Sequence, residues 1–152
     1  MANPDSVSQY YLDSFGNGRI GVVTATQLNT AGNAVVTSPL LVGGMTKGAS
    51  AASSGGVIVR RITLNNPSGS LSAANVSITT SNDGNISNAV VANTTVSITA
   101  NGLYQDLTIA SPYSANTVVS GFNTNALYVN VNTASGNNNT VTIAVYGDVV
   151  SF

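Results

Sequence analysis

Short runs of β-branched residues, broken by glycine, asparagine and proline, form the dominant hydrophobic pattern of this chain. Valine, isoleucine and threonine account for 45 of the 152 residues. Such runs are typical of strands, and the residues between them are typical of turns. The pattern predicts an all-β chain with strands at about 19–26, 34–42, 57–64, 74–80, 86–91, 95–99, 105–110, 117–121, 126–132 and 140–150.

Polar and apolar side chains alternate most clearly at 57–64 and 76–79, as in strands that place one face in a core. The segments ALYVNVN and TVTIAVYGDVV, joined by TASGNNN, predict a final hairpin, because Gly and Asn tolerate the positive φ angles of turns. Further turns are predicted at 65–70 and 81–85. We expect a β-sandwich with no helix longer than about two turns.

The chain divides into an N-terminal arm at 1–18 and a single β-sandwich domain at 19–152. Its length suits one domain with its own core. Within that domain, residues 43–56 read GGMTKGASAASSGG and have almost no side chains that could pack. They predict an exposed loop, or a loop that is ordered only by contact with a partner.

The arm carries Tyr10, Tyr11 and Phe15, three of the nine aromatic residues of the chain. We expect so apolar a segment to dock, either on its own domain or on a neighbouring subunit. On its own domain it would form an edge strand or a short helix with Asp5 as the N-cap. The three aromatic side chains are therefore predicted contacts with a partner.

Ionisable side chains number only nine, and the chain has no His, Cys, Glu or Trp. General acid-base catalysis and metal binding both depend on clusters of such groups. We therefore expect no enzymatic activity, no cofactor and no metal site. In place of charge the chain has 56 Asn, Ser and Thr residues, which indicates a protein that binds or builds.

The scattered charges also bear on the expected partners. The net charge is -1 and there is no basic stripe, so we expect no binding of nucleic acid. No run approaches the roughly 18 apolar residues that a membrane span requires, so we expect no membrane partner. The N-terminal sequence MANPDSVSQYYLDSF has neither the basic region nor the apolar run of a secretory signal.

Adjacent arginines at 60 and 61 are the only concentration of like charge. Neighbouring strand residues point to opposite faces, so we expect one of the two to face the core or an interface. Arg60 or Arg61 could extend from a sheet edge and discourage unwanted strand pairing. Alternatively, Arg60 and Arg61 could bind a carboxylate or backbone carbonyls of a partner.

Three long segments, TATQLNTAGNAVVTSPLLVGG, GGVIVRRITLNNPSGSLSAANVSITTSNDGN and ALYVNVNTASGNNNTVTIAVYGDVV, resemble head decoration (cement) proteins of tailed bacteriophages, especially marine and cyanobacterial ones. The resemblance implies a β-sandwich of jelly-roll type on the outer capsid surface. It also implies a homo-oligomer, with a homotrimer as the expected state, that ties neighbouring major capsid proteins together after synthesis in the host cytoplasm. The alternative is a carbohydrate- or receptor-binding module on a virion or cell surface, which would need exposed tyrosines clustered in a concavity.

Overall fold

The described part of the chain contains nine strands, seven of which carry β-branched residues. The computed structural model describes residues 18–31, 40–41, 56–80, 89–111, 113–115, 117, 119–120 and 126–150. Tyr113–Ala115 forms a single 3-10 turn, and the described residues contain no longer helix. The strands are β1 Gly18–Gln27, β2 Leu40–Leu41, β3 Gly56–Asn65, β4 Asn75–Thr79, β5 Ala89–Thr95, β6 Gln105–Leu107, β7 Val119–Ser120, β8 Ala126–Thr133 and β9 Thr140–Val150.

Two antiparallel sheets pack face to face, which confirms the predicted β-sandwich. The five-stranded sheet has the order β1-β9-β3-β6, with β7 also paired to β3. The four-stranded sheet has the order β2-β8-β4-β5. Apolar side chains from both sheets fill the space between them. The fully buried ones include Leu28, Ile62, Leu64, Leu71, Val76, Ile78, Ile98, Leu127 and Ile143.

The predicted final hairpin is wrong. Strands β8 and β9 lie in different sheets: β8 pairs with β2 and β4, whereas β9 pairs with β1 and β3. Residues 134–139 do turn the chain, as their Gly and Asn content predicts, but they carry it from one sheet to the other. A turn signal between two apolar strands does not distinguish a hairpin from a crossing, because both need the same turn residues.

Strand β5, Ala89–Thr95, includes the described part of the strand predicted at 86–91, whose first three residues lie outside the described residues, and only the first residue of the strand predicted at 95–99. Residues 96–99 keep the alternation of a strand, since Val96 and Ile98 are buried and Ser97 and Thr99 are exposed. They are not part of a ladder, because their backbone bonds go to the loop after β3. The predicted arm and the loop at 43–56 lie outside the described residues, apart from Gly18 and Gly56, which begin strands.

Four connections meet at one end of the sandwich, and each crosses between the sheets. The described residues concerned are 28–31, at the start of the connection from β1 to β2, and the connections 66–74, 96–104 and 134–139. Backbone bonds join them: Ser135 donates to Leu28 at 2.7 Å, and Leu71 donates to Ile98 at 2.8 Å. We call this part of the molecule the loop end.

Candidate functional site

Arg60 and Arg61 lie on the same outer face of the five-stranded sheet, so the expectation that they face opposite sides is wrong. The reason is a β-bulge in β3, where the register against β9 shifts between Val59 and Arg61. Val59 before the pair and Ile62 after it both point into the core, at 3% and 0% exposure. The extra residue of a bulge changes the alternation of side chains, which places both guanidinium groups outside.

Each arginine of the pair binds an aspartate of its own chain. Arg61 donates from Nε and Nη2 to the two carboxylate oxygens of Asp106, at 2.8 and 3.1 Å. Arg60 donates from Nε to Oδ2 of Asp148 at 2.9 Å. The Arg61 side chain is 17% exposed and that of Arg60 is 35% exposed, so water screens the second pair more. We assign about 1 kcal/mol to the forked Arg61 pair and less to the other.

All five charged side chains of the described residues lie on this same face. Arg19 and Arg61 are the cross-strand neighbours of Tyr146 on either side of β9, and such neighbours share a face. Asp106 is opposite Thr63, and Asp148 follows the inward-facing Gly147. We call this surface the charged face. Its members, Arg19, Arg60, Arg61, Asp106 and Asp148, come from four strands.

The loop end is held together by amide and hydroxyl groups. Asn137 and Asn139 both donate from Nδ2 to the backbone oxygen of Ser70, each at 3.0 Å. Asn29 donates to Oδ1 of Asn138 at 3.0 Å. These bonds join three of the four connections and use the polar side chains within the chain itself. The loop end is therefore a preorganised surface.

Leu103 and Tyr104 are the large hydrophobic residues that stand exposed among the described residues, at 45% and 65%. They are the last two residues of the connection between β5 and β6, directly after its turn at 100–102. Gly102 precedes them with φ of 79°, a left-handed conformation that glycine adopts without strain. The sequence pattern did not indicate this pair, because residues 103–104 fall in the short gap between the strands predicted at 95–99 and 105–110.

A row of uncharged polar side chains runs across β4, β5 and β8, and Ser77, Thr79 and Asn130 in this row are buried. Asn132 donates to Ser77 Oγ at 3.1 Å and to Asn93 Oδ1 at 2.9 Å. Asn130 is 1% exposed and donates to Thr79 Oγ1 at 3.0 Å. Its Oδ1 atom has no hydrogen-bond partner. This row of side chains is joined mainly by hydrogen bonds among its own members.

The structure brings together only part of the predicted partner surface. Arg60 and Arg61 lie on the charged face, whereas Tyr10, Tyr11 and Phe15 are outside the described residues. Among the residues that the structure describes, no group of three or more His, Cys, Asp or Glu could hold a metal ion. No helix in that part of the chain is long and apolar enough to cross a membrane.

Comparison with known proteins leaves the chain without an assigned family. No family model, no curated protein sequence and no solved structure matches it.

Proposed function

We propose that this chain is a non-enzymatic structural protein of a virus particle, a capsid decoration (cement) protein of a tailed bacteriophage. It binds the outer surface of the head and ties major capsid proteins together. The observation that carries the proposal is the separation of charge: the five charged side chains of the described residues lie on one face, and the loop end has none. A protein bound to a shell needs one side for water and another for the shell.

The cost of desolvation indicates which surface faces the shell and which faces water. Covering the charged face would remove water from two partly exposed ion pairs, and this cost commonly exceeds the Coulombic gain. Covering uncharged amide and apolar surface costs much less where the polar groups already have partners. The charged face therefore stays in water, and the uncharged surfaces contact the shell.

We further propose that the sandwich is a jelly roll. Apart from the two-residue strand β7, four of its six strand pairings are nested: β4 with β5, β3 with β6, β2 with β8 and β1 with β9. The other two, β3 with β9 and β4 with β8, complete the two sheets. A long antiparallel ribbon that wraps around a core gives this nesting. Jelly rolls consist of eight strands in two Greek keys, which is compatible with four strands in each sheet once β7 is left out.

A decoration protein acts by mass action. Each copy binds the assembled shell more tightly than free subunits, so bound copies stabilise the shell against expansion. The partner in this proposal is the major capsid protein, and the protein itself acts as a homo-oligomer, with a homotrimer as the expected state. Tyr10, Tyr11 and Phe15 remain predicted contacts within such an assembly.

Carbohydrate or receptor binding is the second candidate, and exposed Tyr104 at the loop end is the observation that favours it. Sugar-binding sites combine aromatic faces with free amides. Here Asn29, Asn137 and Asn139 donate their amide hydrogens to other groups of the chain, so fewer remain for sugar hydroxyls. We therefore favour a protein partner.

Imaging tests the proposed function directly. Cryo-electron microscopy of virus particles whose genome encodes this chain, with mass spectrometry of the same particles, would locate and count the copies. We expect stoichiometric density on the outside of the head that accommodates a β-sandwich. Particles that lack the chain, or that carry it only at the tail, would rule the decoration role out.

A further inference from the structure

We infer that the loop end is the surface that binds the shell, with Leu103 and Tyr104 as its apolar anchor. The inference rests on the proposed function and names the contact. The loop end, residues 28–31, 66–74, 96–104 and 134–139, contains no Asp, Glu, Lys, Arg or His. The nine charged residues of the chain all lie elsewhere in the sequence.

The loop that carries the anchor is held to the body of the domain at its base. Gln105 closes the base of its loop, because its Oε1 accepts from the Ser97 backbone at 2.8 Å and its Nε2 donates to the Thr95 backbone at 3.0 Å. Val96 and Ile98 fix the same loop in the core, at 0% and 1% exposure. A rigid aromatic anchor loses little conformational entropy on binding, which favours affinity.

The chemistry of this surface selects an uncharged protein partner. Phosphate groups of nucleic acids or anionic lipids would lose hydration here without meeting a cation. Sugar hydroxyls would meet amides that already donate within the chain, as Asn137 and Asn139 do to Ser70. An apolar hollow on a protein subunit, surrounded by uncharged polar groups, matches the two exposed side chains and their surroundings.

The size of the anchor favours a repeating shell over a second copy of this chain. Fully burying an aromatic side chain covers about 150–250 Å², and a stable pair of proteins needs about 800 Å² from each partner. Leu103 and Tyr104 alone fall well short of that area. A shell presents many equivalent hollows, so an oligomer that engages several of them gains avidity that one pairwise contact lacks.

Binding to particles assembled without this chain provides the test. Four proteins are added back over a range of concentrations: the wild type, Tyr104→Ala, Tyr104→Phe and Arg60→Ala. Bound copies are counted by quantitative mass spectrometry, and circular dichroism checks that each variant is folded. We expect Tyr104→Ala to weaken apparent affinity about 10-fold or more, as central aromatic anchors do. Tyr104→Phe keeps the ring, and Arg60→Ala alters only the charged face, so both should bind like the wild type.

The outcomes separate this inference from the proposed function. If the wild type binds no particle, the proposed function fails. If the wild type binds and folded Tyr104→Ala binds equally well, the function stands and the loop end is not the contact. A change in the mass of the free protein on Tyr104→Ala substitution, seen by analytical ultracentrifugation, would assign the anchor to self-association. Release of bound protein by millimolar monosaccharides would assign it to sugar, and either result would overturn the inference.

Discussion

Gly147 lies too close to the backbone of the neighbouring strand to accommodate a side chain, so Gly147→Ala should destabilise the fold. It faces the β3 bulge from the centre of β9, paired with Val59. A Cβ atom at this position would overlap the carbonyl oxygen of Ile58. It would also lie 3.0 Å from the Ile58 carbonyl carbon and 3.2 Å from Cδ1 of Ile20. The closest obstacle is backbone, so no change of rotamer can relieve it.

The expected cost follows from that geometry. Overpacking a core typically costs about 1–3 kcal/mol. We expect a value near the top of this range, about 3 kcal/mol, because relief requires β3 and β9 to separate where Val59 is buried. For a chain of this size, such a loss lowers the melting temperature by about 6–12 °C.

Gly18→Ala is the matched control. Gly18 pairs with Gly147 across β1 and β9, and a Cβ atom there would meet only the Gly147 carbonyl oxygen at 4.0 Å. That is an ordinary contact, so the control should change stability by no more than about 0.5 kcal/mol. Urea unfolding followed by circular dichroism at two protein concentrations gives both values. Equal urea midpoints for the two variants would show that the backbone at the bulge shifts at no cost to accommodate the methyl group, and the steric reasoning would be refuted.

Three further predictions concern salt, backbone strain and charge. If the uncharged loop end binds the shell, the amount retained on particles should change little between roughly 0.05 and 1 M NaCl, and loss of most copies by 1 M would contradict it. Ala25 lies in a bulge of β1 with φ of 51°, a conformation that strains an alanine, so Ala25→Gly should raise the free energy of unfolding by about 0.5–1 kcal/mol. Ala92, an exposed residue of β5, is the control, and Ala92→Gly should lower the free energy of unfolding in the same urea assay. Arg61→Lys should lower the unfolding free energy by about 0.5–1 kcal/mol, more than Arg60→Lys does, because Arg61 makes a forked pair with Asp106 and its side chain is the less exposed of the two; equal losses would disprove that reasoning.

The secondary structure was predictable because its signals are local. The run TVTIAVYGDVV predicts a strand at 140–150, and the structure has β9 with those bounds. The period of two at 76–79 predicts that Val76 and Ile78 lie in the core, where both are buried. The pairing of strands is not local. The same turn residues allow β8 to pair with β9 in a hairpin or to lie in a different sheet from β9. The pairing of β8 with β2 and β4, which are distant in sequence, selects the second arrangement.

The candidate surfaces could not be predicted for the same reason. Asn137 and Ser70 are 67 residues apart, and their bond at the loop end depends on strands that bring the connections together. The charges appear scattered along the sequence because Arg19, Asp106 and Asp148 lie far apart in it. Only the order β1-β9-β3-β6, together with the bulge in β3, places them on one face.

The bulge connects the steric role of Gly147 to the surface chemistry. Without the bulge, strict alternation from Val59 would turn Arg61 toward the core and Ile62 toward the outside of the sheet. An arginine facing the core would leave its charge unpaired or require a buried partner, which costs several kcal/mol. A glycine at 147 lets the backbone of Ile58 approach closely enough for the bulge to form. The residue without a side chain thus allows both Arg60 and Arg61 to reach water, which leaves the charged face on one side of the molecule.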